Sequence, residues 1–283
     1  MKKMVSWLLA CVMAFSLMAC GSEKISEHTT DQAEEATEKV ELTVFAAASM
    51  TETLNEISEL YKVEHPEVEL VFNFDSSGTL KTQIQEGAVC DLFISAGQKQ
   101  MNQLDVAADS SVNTEGLDYV LEGTRIDILE NKVTLCVSET SGAGIKTFDD
   151  LAKALKDREV LMAMGNSDVP VGQYTQKILE YYNLDEEALA AEGKISYGSN
   201  VKEVTTQVLE GSVDCGIIYC TDAYSAGLQV TDAATAEMCG QVIYPAAVLK
   251  DSKYPEEAKG FLGFLQTDVC MEIFEGVGFS RVN

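Results

Sequence analysis

Gly198-Ser199-Asn200-Val201-Lys202-Glu203-Val204-Thr205-Thr206-Gln207-Val208-Leu209-Glu210-Gly211-Ser212-Val213-Asp214-Cys215-Gly216-Ile217-Ile218-Tyr219-Cys220-Thr221-Asp222 is the stretch that decides the fold. Val201, Val204, Val208 and Leu209 recur at helical spacing, Gly211-Ser212 ends the helix, and Cys215 to Tyr219 is a short apolar run of strand character. Thr221 or Asp222 can cap a following helix. The reading places a helix N-terminus at Asn200–Val201 and a tyrosine hydroxyl at a strand end. Unpaired first-turn amides and a neutral hydroxyl are what an anion needs. The plainer reading is one ordinary βα unit with Tyr219 in the core.

The alternation extends in both directions. Upstream, residues 41–48 read as a strand and 50–64 as a helix, with Ser49 or Thr51 as N-cap and Glu52 completing a capping box. A strand at 68–74, a polar turn at 75–79, a helix from Leu80 to Gly87 and a strand at 91–95 complete a parallel half. A helix is expected near 98–104, and 105–128 has no clear pattern. Strands at 132–138 and 159–164, helices at 148–156, after Gly172 to about Asn183 and at 185–192, and the run Ile195-Ser-Tyr197 repeat the scheme. Tyr174, Ile178 and Tyr181 are expected on one helix face. A strand at 241–250 and helices at 255–266 and 269–274 close the chain. The expected architecture is α/β, in two lobes of mostly parallel sheet flanked by helices. Lobe I takes 41–129 plus 247–283 and lobe II takes 130–246. Two crossings, near 129–133 and 244–248, form the hinge.

The ends and the composition set the address. Lys2 and Lys3 precede a short apolar run that ends Leu17-Met18-Ala19-Cys20, so 1–19 reads as a lipoprotein signal peptide and Cys20 as the lipidated residue. Residues 20–40 read as an acidic tether unable to bury enough surface to fold, with His28 in it. The expected location is extracytoplasmic, lipid-anchored to the cell membrane. A net charge of −26 argues against nucleic acid and acidic membrane surfaces as partners. Cys90, Cys136, Cys215, Cys220, Cys239 and Cys270 are read as buried free thiols rather than a disulfide framework.

Enzyme signatures are missing. The only histidines are His28 and His65, so a serine nucleophile at Ser49 or Ser77 has little prospect of a base. What recurs is a strand, a small polar loop and a helix start, at Ala48-Ser49, Ser76-Ser77-Gly78, Pro170-Val171-Gly172 and Ser199-Asn200-Val201. Ligands of open α/β sheets sit beyond the carboxyl ends of the strands, where these starts fall. Arg125, Arg158 and Arg281 are the only arginines and lie in none of the loops. Neutral donors avoid a permanent buried positive charge in the empty cleft. Ser49 and Ser77 are also readable as simple caps.

Val44-Phe-Ala-Ala-Ala-Ser-Met-Thr51, Ser76-Ser-Gly-Thr-Leu80 with Gln83-Ile84, Asp91-Leu-Phe-Ile-Ser-Ala96, Val169-Pro-Val-Gly172, Gly216-Ile-Ile-Tyr219 with Thr221-Asp222-Ala223, and Tyr244-Pro245 resemble the molybdate-binding proteins of ABC importers. The resemblance covers nearly all of 41–283. It implies a periplasmic-binding-protein-like fold that captures molybdate, and tungstate beside it, and passes it to an ABC permease. It implies no cofactor, molybdenum being held only as its oxyanion, and a monomer. Carried over by motif, the ligand set is Ser49 and Ser77 by hydroxyl and amide, Val171 and Val201 by backbone amide, and Tyr219 by hydroxyl. Val171 stands where the family often has Ala, and the match around Val201 is loose. A sulfate or other tetrahedral oxyanion binder, a serine-dependent enzyme and an adhesive surface lipoprotein remain the alternatives.

Overall fold

The computed structural model describes residues 39–157 and 159–282. The expected signal peptide, Cys20 and most of the tether lie outside the described residues. Strand β1 (Val40–Ala47) leads through a 3-10 turn (Ala48–Met50) into α1 (Thr51–Glu64). Then come β2 (Val68–Asp75), α2 (Ser77–Gln85), β3 (Leu92–Ile94), α3 (Gln98–Leu104), β4 (Ile126–Asn131) and β5 (Val133–Val137). Next are α4 (Phe148–Asp157), β6 (Met162–Gly165), α5 (Pro170–Tyr181), α6 (Glu186–Ala191), β7 (Ile195–Gly198), α7 (Val201–Leu209), β8 (Cys215–Tyr219) and α8 (Cys220–Ala226). The chain closes with β9 (Val230–Ala233), α9 (Ala236–Cys239), β10 (Val242–Val248), α10 (Pro255–Phe264) and α11 (Asp268–Gly276).

Two five-stranded sheets result, ordered β2-β1-β3-β10-β4 and β7-β6-β8-β5-β9. In the first, only β10 is antiparallel to its neighbours; in the second, only β5 is. Both sheets are therefore mixed, with one reversed strand each. The reversal has a covalent cause. The chain passes between sheets at Asn131–Val133 and again between Cys239 and Val242, and β5 and β10 are the strands that follow these passages.

Side-chain alternation puts the first sheet between two apolar layers. Leu42, Val44 and Ala46 of β1 pack with Leu54, Ile57, Tyr61, Phe261 and Phe274 of the helices on one side. Phe45 and Phe93 pack with Leu80, Ile84, Met101 and Leu104 on the other. In the second sheet Met162, Met164, Ile217 and Ile218 are buried with Leu151, Ile178, Val204 and Val208. The six cysteines of the globule are free thiols.

Several local expectations change. β10 pairs into the first sheet from Val242 onward, so a lobe boundary at 246–247 would cut a strand. Tyr181 is 46% exposed while Tyr174 and Ile178 are buried: the helix begins one residue after Val169, and its apolar stripe runs through Val171, Tyr174, Thr175, Ile178 and Leu179. β4, β9 and α9 are elements that the sequence pattern does not predict. The undefined segment after α3 is held by polar groups: Asn113 bridges the carbonyls of Asp105 and Leu117, and Arg125 joins Asp105, Gln98 and Asn102. No helix among the described residues is long and apolar enough to cross a membrane.

Candidate functional site

The carboxyl ends of β1, β2 and β8 and the starts of α2, α5 and α7 converge where the two sheets face each other. They line a narrow cleft with a cavity volume of about 10 Å³, formed by Ala47, Ala48, Ser49, Asp75, Ser76, Ser77, Ala96, Val169, Pro170, Val171, Val201 and Tyr219. Ser49, Ser77, Val171, Val201 and Tyr219 thus lie together on one cavity wall, although they come from opposite sheets.

Each is positioned by its local chemistry. Val171 is the second residue of α5; Pro170 supplies a fixed φ and lacks the N–H that a first turn would leave unpaired. Val201 opens α7, whose N-cap Asn200 accepts from the Glu203 amide at 3.1 Å. The backbone amides of Ser77, Val171 and Val201 donate to no group among the described residues, as expected of helix first turns. The positive ends of three helices therefore meet at one space.

Ser76, not Ser77, caps α2, accepting from the Thr79 amide at 3.1 Å. Ser77 is fully buried and its Oγ accepts from the Ala96 amide at 2.9 Å. Neither Ser49 nor Thr51 caps α1, because the intervening 3-10 turn moves the helix start. The Ser49 hydroxyl instead lies 2.9 Å from the Tyr244 hydroxyl. Nor do Thr221 and Asp222 cap α8, which begins at Cys220 with no side-chain cap. Tyr219 is 1% exposed; its hydroxyl donates to the Ala96 carbonyl at 3.5 Å and also faces the Tyr244 hydroxyl. Burial holds its pKa well above the ordinary tyrosine value, so it remains a neutral donor.

No lysine or arginine lines the cavity, but one carboxylate does, contrary to the all-donor site expected. Asp75 Oδ1 accepts from the Ser76 amide at 2.7 Å and the Asn200 side chain at 3.5 Å. The Asn200 contact is one of several between the lobes. Lys202 of α7 pairs with Glu52 of α1 at 2.7 Å. The Gly78 Cα faces the Asp168 carbonyl so closely that a Cβ there would sit 2.2 Å from the oxygen. A larger cavity of about 620 Å³ around Asp118, Glu122, Arg125, Asp127 and Lys250 lies away from these helix starts and mixes both charges.

Behind the site lies Asp222, which no pattern in the sequence singled out as buried. It is 1% exposed, neither carboxylate oxygen has a hydrogen-bond partner, and the Lys202 ammonium stands 3.4 Å from Oδ1. Lys202, Glu52, Tyr219, Tyr244, Cys136 and Cys220 are the titratable groups that face it. Burial pushes the carboxyl from 3.8 up to about 7, with Lys202 opposing and Glu52 adding to the rise. A folded pKa above the unfolded one means that the fold favours the protonated acid. Its stabilising contribution is complete below about pH 3.8 and is lost as pH rises to about 7. Asp222→Asn is therefore expected to raise the melting temperature above wild type by a margin that grows between these limits and levels off beyond pH 7. Melting curves of both proteins across that range check it; a margin independent of pH would contradict it.

The serine-enzyme alternative fails on position. His65 follows the far end of α1, stacked on Tyr61 at 4.4 Å and 3.4 Å from Glu67. Ser49 precedes the other end, roughly 20 Å away at 1.5 Å per residue. Among the described residues no group of acidic, His or Cys side chains could hold a metal ion.

Two lobes closing on a small cleft of neutral donors define a solute-binding protein. The chain belongs to the bacterial extracellular solute-binding proteins, whose family model matches residues 42–280; it is extracytoplasmic and not an enzyme. It is 33% identical to "Putative ABC transporter substrate-binding lipoprotein YvgL" of Bacillus subtilis (strain 168), over 99% of both chains. It is 30% identical to the molybdate-binding protein ModA of Haemophilus influenzae, over 84% of this chain and 89% of that one. Among solved structures, the periplasmic molybdate-binding protein of Azotobacter vinelandii superposes with a TM-score of 0.71 at 21% identity, covering 86% of this chain and 100% of that chain. That match bears on fold alone.

Proposed function

We propose that this protein captures molybdate, and tungstate beside it, between its lobes and delivers it to an ABC permease. The observation that carries the reading is the meeting of Ser49, Ser77, Val171, Val201 and Tyr219 on one small cavity. We assign these five as the ligand set, the serines and Tyr219 by hydroxyl and the two valines by amide. Lobe I is assigned to 39–131 plus 242–282 and lobe II to 133–239, hinged at the two passages between sheets. The protein acts as a monomer.

A site rich in donors prefers a fully deprotonated dianion, because a protonated oxyanion needs an acceptor. Asp75 is the one carboxylate that lines the cavity, and it is already engaged by Ser76 and Asn200. Native mass spectrometry after incubation with molybdate, tungstate, sulfate and phosphate is expected to show one retained molybdate or tungstate dianion and little phosphate. Phosphate retained as well as molybdate, and lost in Asp75→Asn, would overturn this selectivity and make Asp75 the proton acceptor.

Lipid on Cys20 would hold the protein beside its permease. A Cys20→Ala variant is expected to leave the membrane fraction or to accumulate unprocessed. A variant that is cleaved and still membrane-bound would refute the anchor.

A further inference from the structure

Tyr244 does not line the cavity, yet it is fully buried directly behind Ser49. Its hydroxyl has two partners at hydrogen-bond length: Ser49 Oγ at 2.9 Å and Asn131 Nδ2 at 3.0 Å. The direction of these bonds follows from Asn131. Its Oδ1 accepts from the Lys132 amide at 2.8 Å and from the Cys220 thiol at 3.1 Å, which identifies the oxygen. Its NH2 therefore faces the two hydroxyls and donates to both, Thr221 Oγ1 at 3.0 Å and Tyr244. Tyr244, having accepted from Asn131, retains one proton. If Ser49 donated to it as well, that proton would be buried without an acceptor, which is costly. The Tyr219 ring packs edge-on at 5.9 Å and its hydroxyl also faces that of Tyr244, but only Ser49 and Asn131 meet the Tyr244 hydroxyl with hydrogen-bond length and angle, which leaves Ser49 the better acceptor. Tyr244 thus donates to Ser49, and the Ser49 proton is left for the cavity.

We propose that Asn131 and Tyr244 are positioning residues that order the proton on Ser49, so that it meets the anion as a committed donor. The inference rests on the assignment of the cavity as an oxyanion site. The relay ends where the chain passes between the sheets, and Asn131 holds Thr221 from the second lobe as well as Tyr244 from the first. The hydroxyl is therefore oriented by the same residue that ties the two lobes together.

The test is a double-mutant cycle of the full chain, read by calorimetric titration with molybdate and by melting temperature. Tyr244→Phe removes the donor to Ser49 and is expected to weaken binding roughly 2- to 12-fold, the worth of one ordered hydrogen bond. In a Ser49→Ala background the same change is expected to cost nothing further, since it acts only through Ser49. Asn131→Asp supplies the second arm should Tyr244→Phe fold poorly. It keeps the acceptor oxygen but takes the Tyr244 proton for itself, so that Ser49 must donate inward; it too should lose its effect beside Ser49→Ala. Losses that simply add in the double variants would overturn the relay while leaving the oxyanion site intact. A wild-type chain that takes up no oxyanion would overturn both.

Discussion

Gly78→Ala is expected to weaken molybdate capture by roughly 5- to 150-fold while leaving both lobes folded. The new methyl group would lie 2.2 Å from the Asp168 carbonyl oxygen and 2.9 Å from its carbon. Gly78 is in the first turn of α2 and Asp168 precedes α5, so the collision is between lobes, and the obstacle is backbone that cannot rotate aside. Overpacking of this kind typically costs about 1–3 kcal/mol, which sets the range given. If the lobes part without ligand the contact is lost, and the melting temperature of the free protein should then change little. Gly172 supplies the contrast. A Cβ there would meet the carbonyl oxygens of Asn166 at 2.2 Å and Gly165 at 2.3 Å, all within the second lobe. Gly172→Ala should therefore lower the melting temperature itself. Titration and melting of the two variants side by side check the pair; a Gly78→Ala protein with wild-type affinity would show that the closed arrangement is not the binding form.

The second large effect is expected at Tyr219. Removing a hydroxyl that donates to a charged group costs about 1.5–3 kcal/mol, so Tyr219→Phe should weaken molybdate binding roughly 10- to 150-fold. Within the protein that hydroxyl makes a long 3.5 Å bond to Ala96 and faces Tyr244 without a bond of ordinary geometry, so little stability is lost with it. Ser77→Ala should weaken binding on the same grounds, but it also strips the Ala96 amide of its buried acceptor. A fall in both affinity and melting temperature is expected there, which makes Tyr219→Phe the cleaner variant. If Tyr219 were only a core residue, its variant would melt lower and bind as well as wild type.

The parts of this site written in backbone chemistry were legible in the sequence. Asn200 before Val201 marks a helix start through capping, and α7 begins there; α5 begins at Pro170, earlier than the start expected after Gly172. Adjacent serines are harder. Either Ser76 or Ser77 satisfies a capping rule, and only the fold decides that Ser76 bonds back to Thr79 while Ser77 turns to Ala96. Ser49 reads as a cap until the 3-10 turn at Ala48–Met50 shifts the helix start by one residue. β9 escaped notice because Val230-Thr-Asp-Ala233 is a half-exposed edge strand with no apolar alternation. The roles of Asn131, Tyr244 and Asp222 depend on contacts between residues about 90 or more positions apart or on burial, which local periodicity does not encode.

The most direct measurement of the central claim is a calorimetric titration of the purified protein with molybdate, with sulfate and phosphate as comparators under the same conditions. The account predicts one molybdate per chain, bound more tightly than either comparator, with the affinity reduced in Gly78→Ala and Tyr219→Phe. No molybdate binding at concentrations where sulfate or phosphate saturates the protein would contradict it.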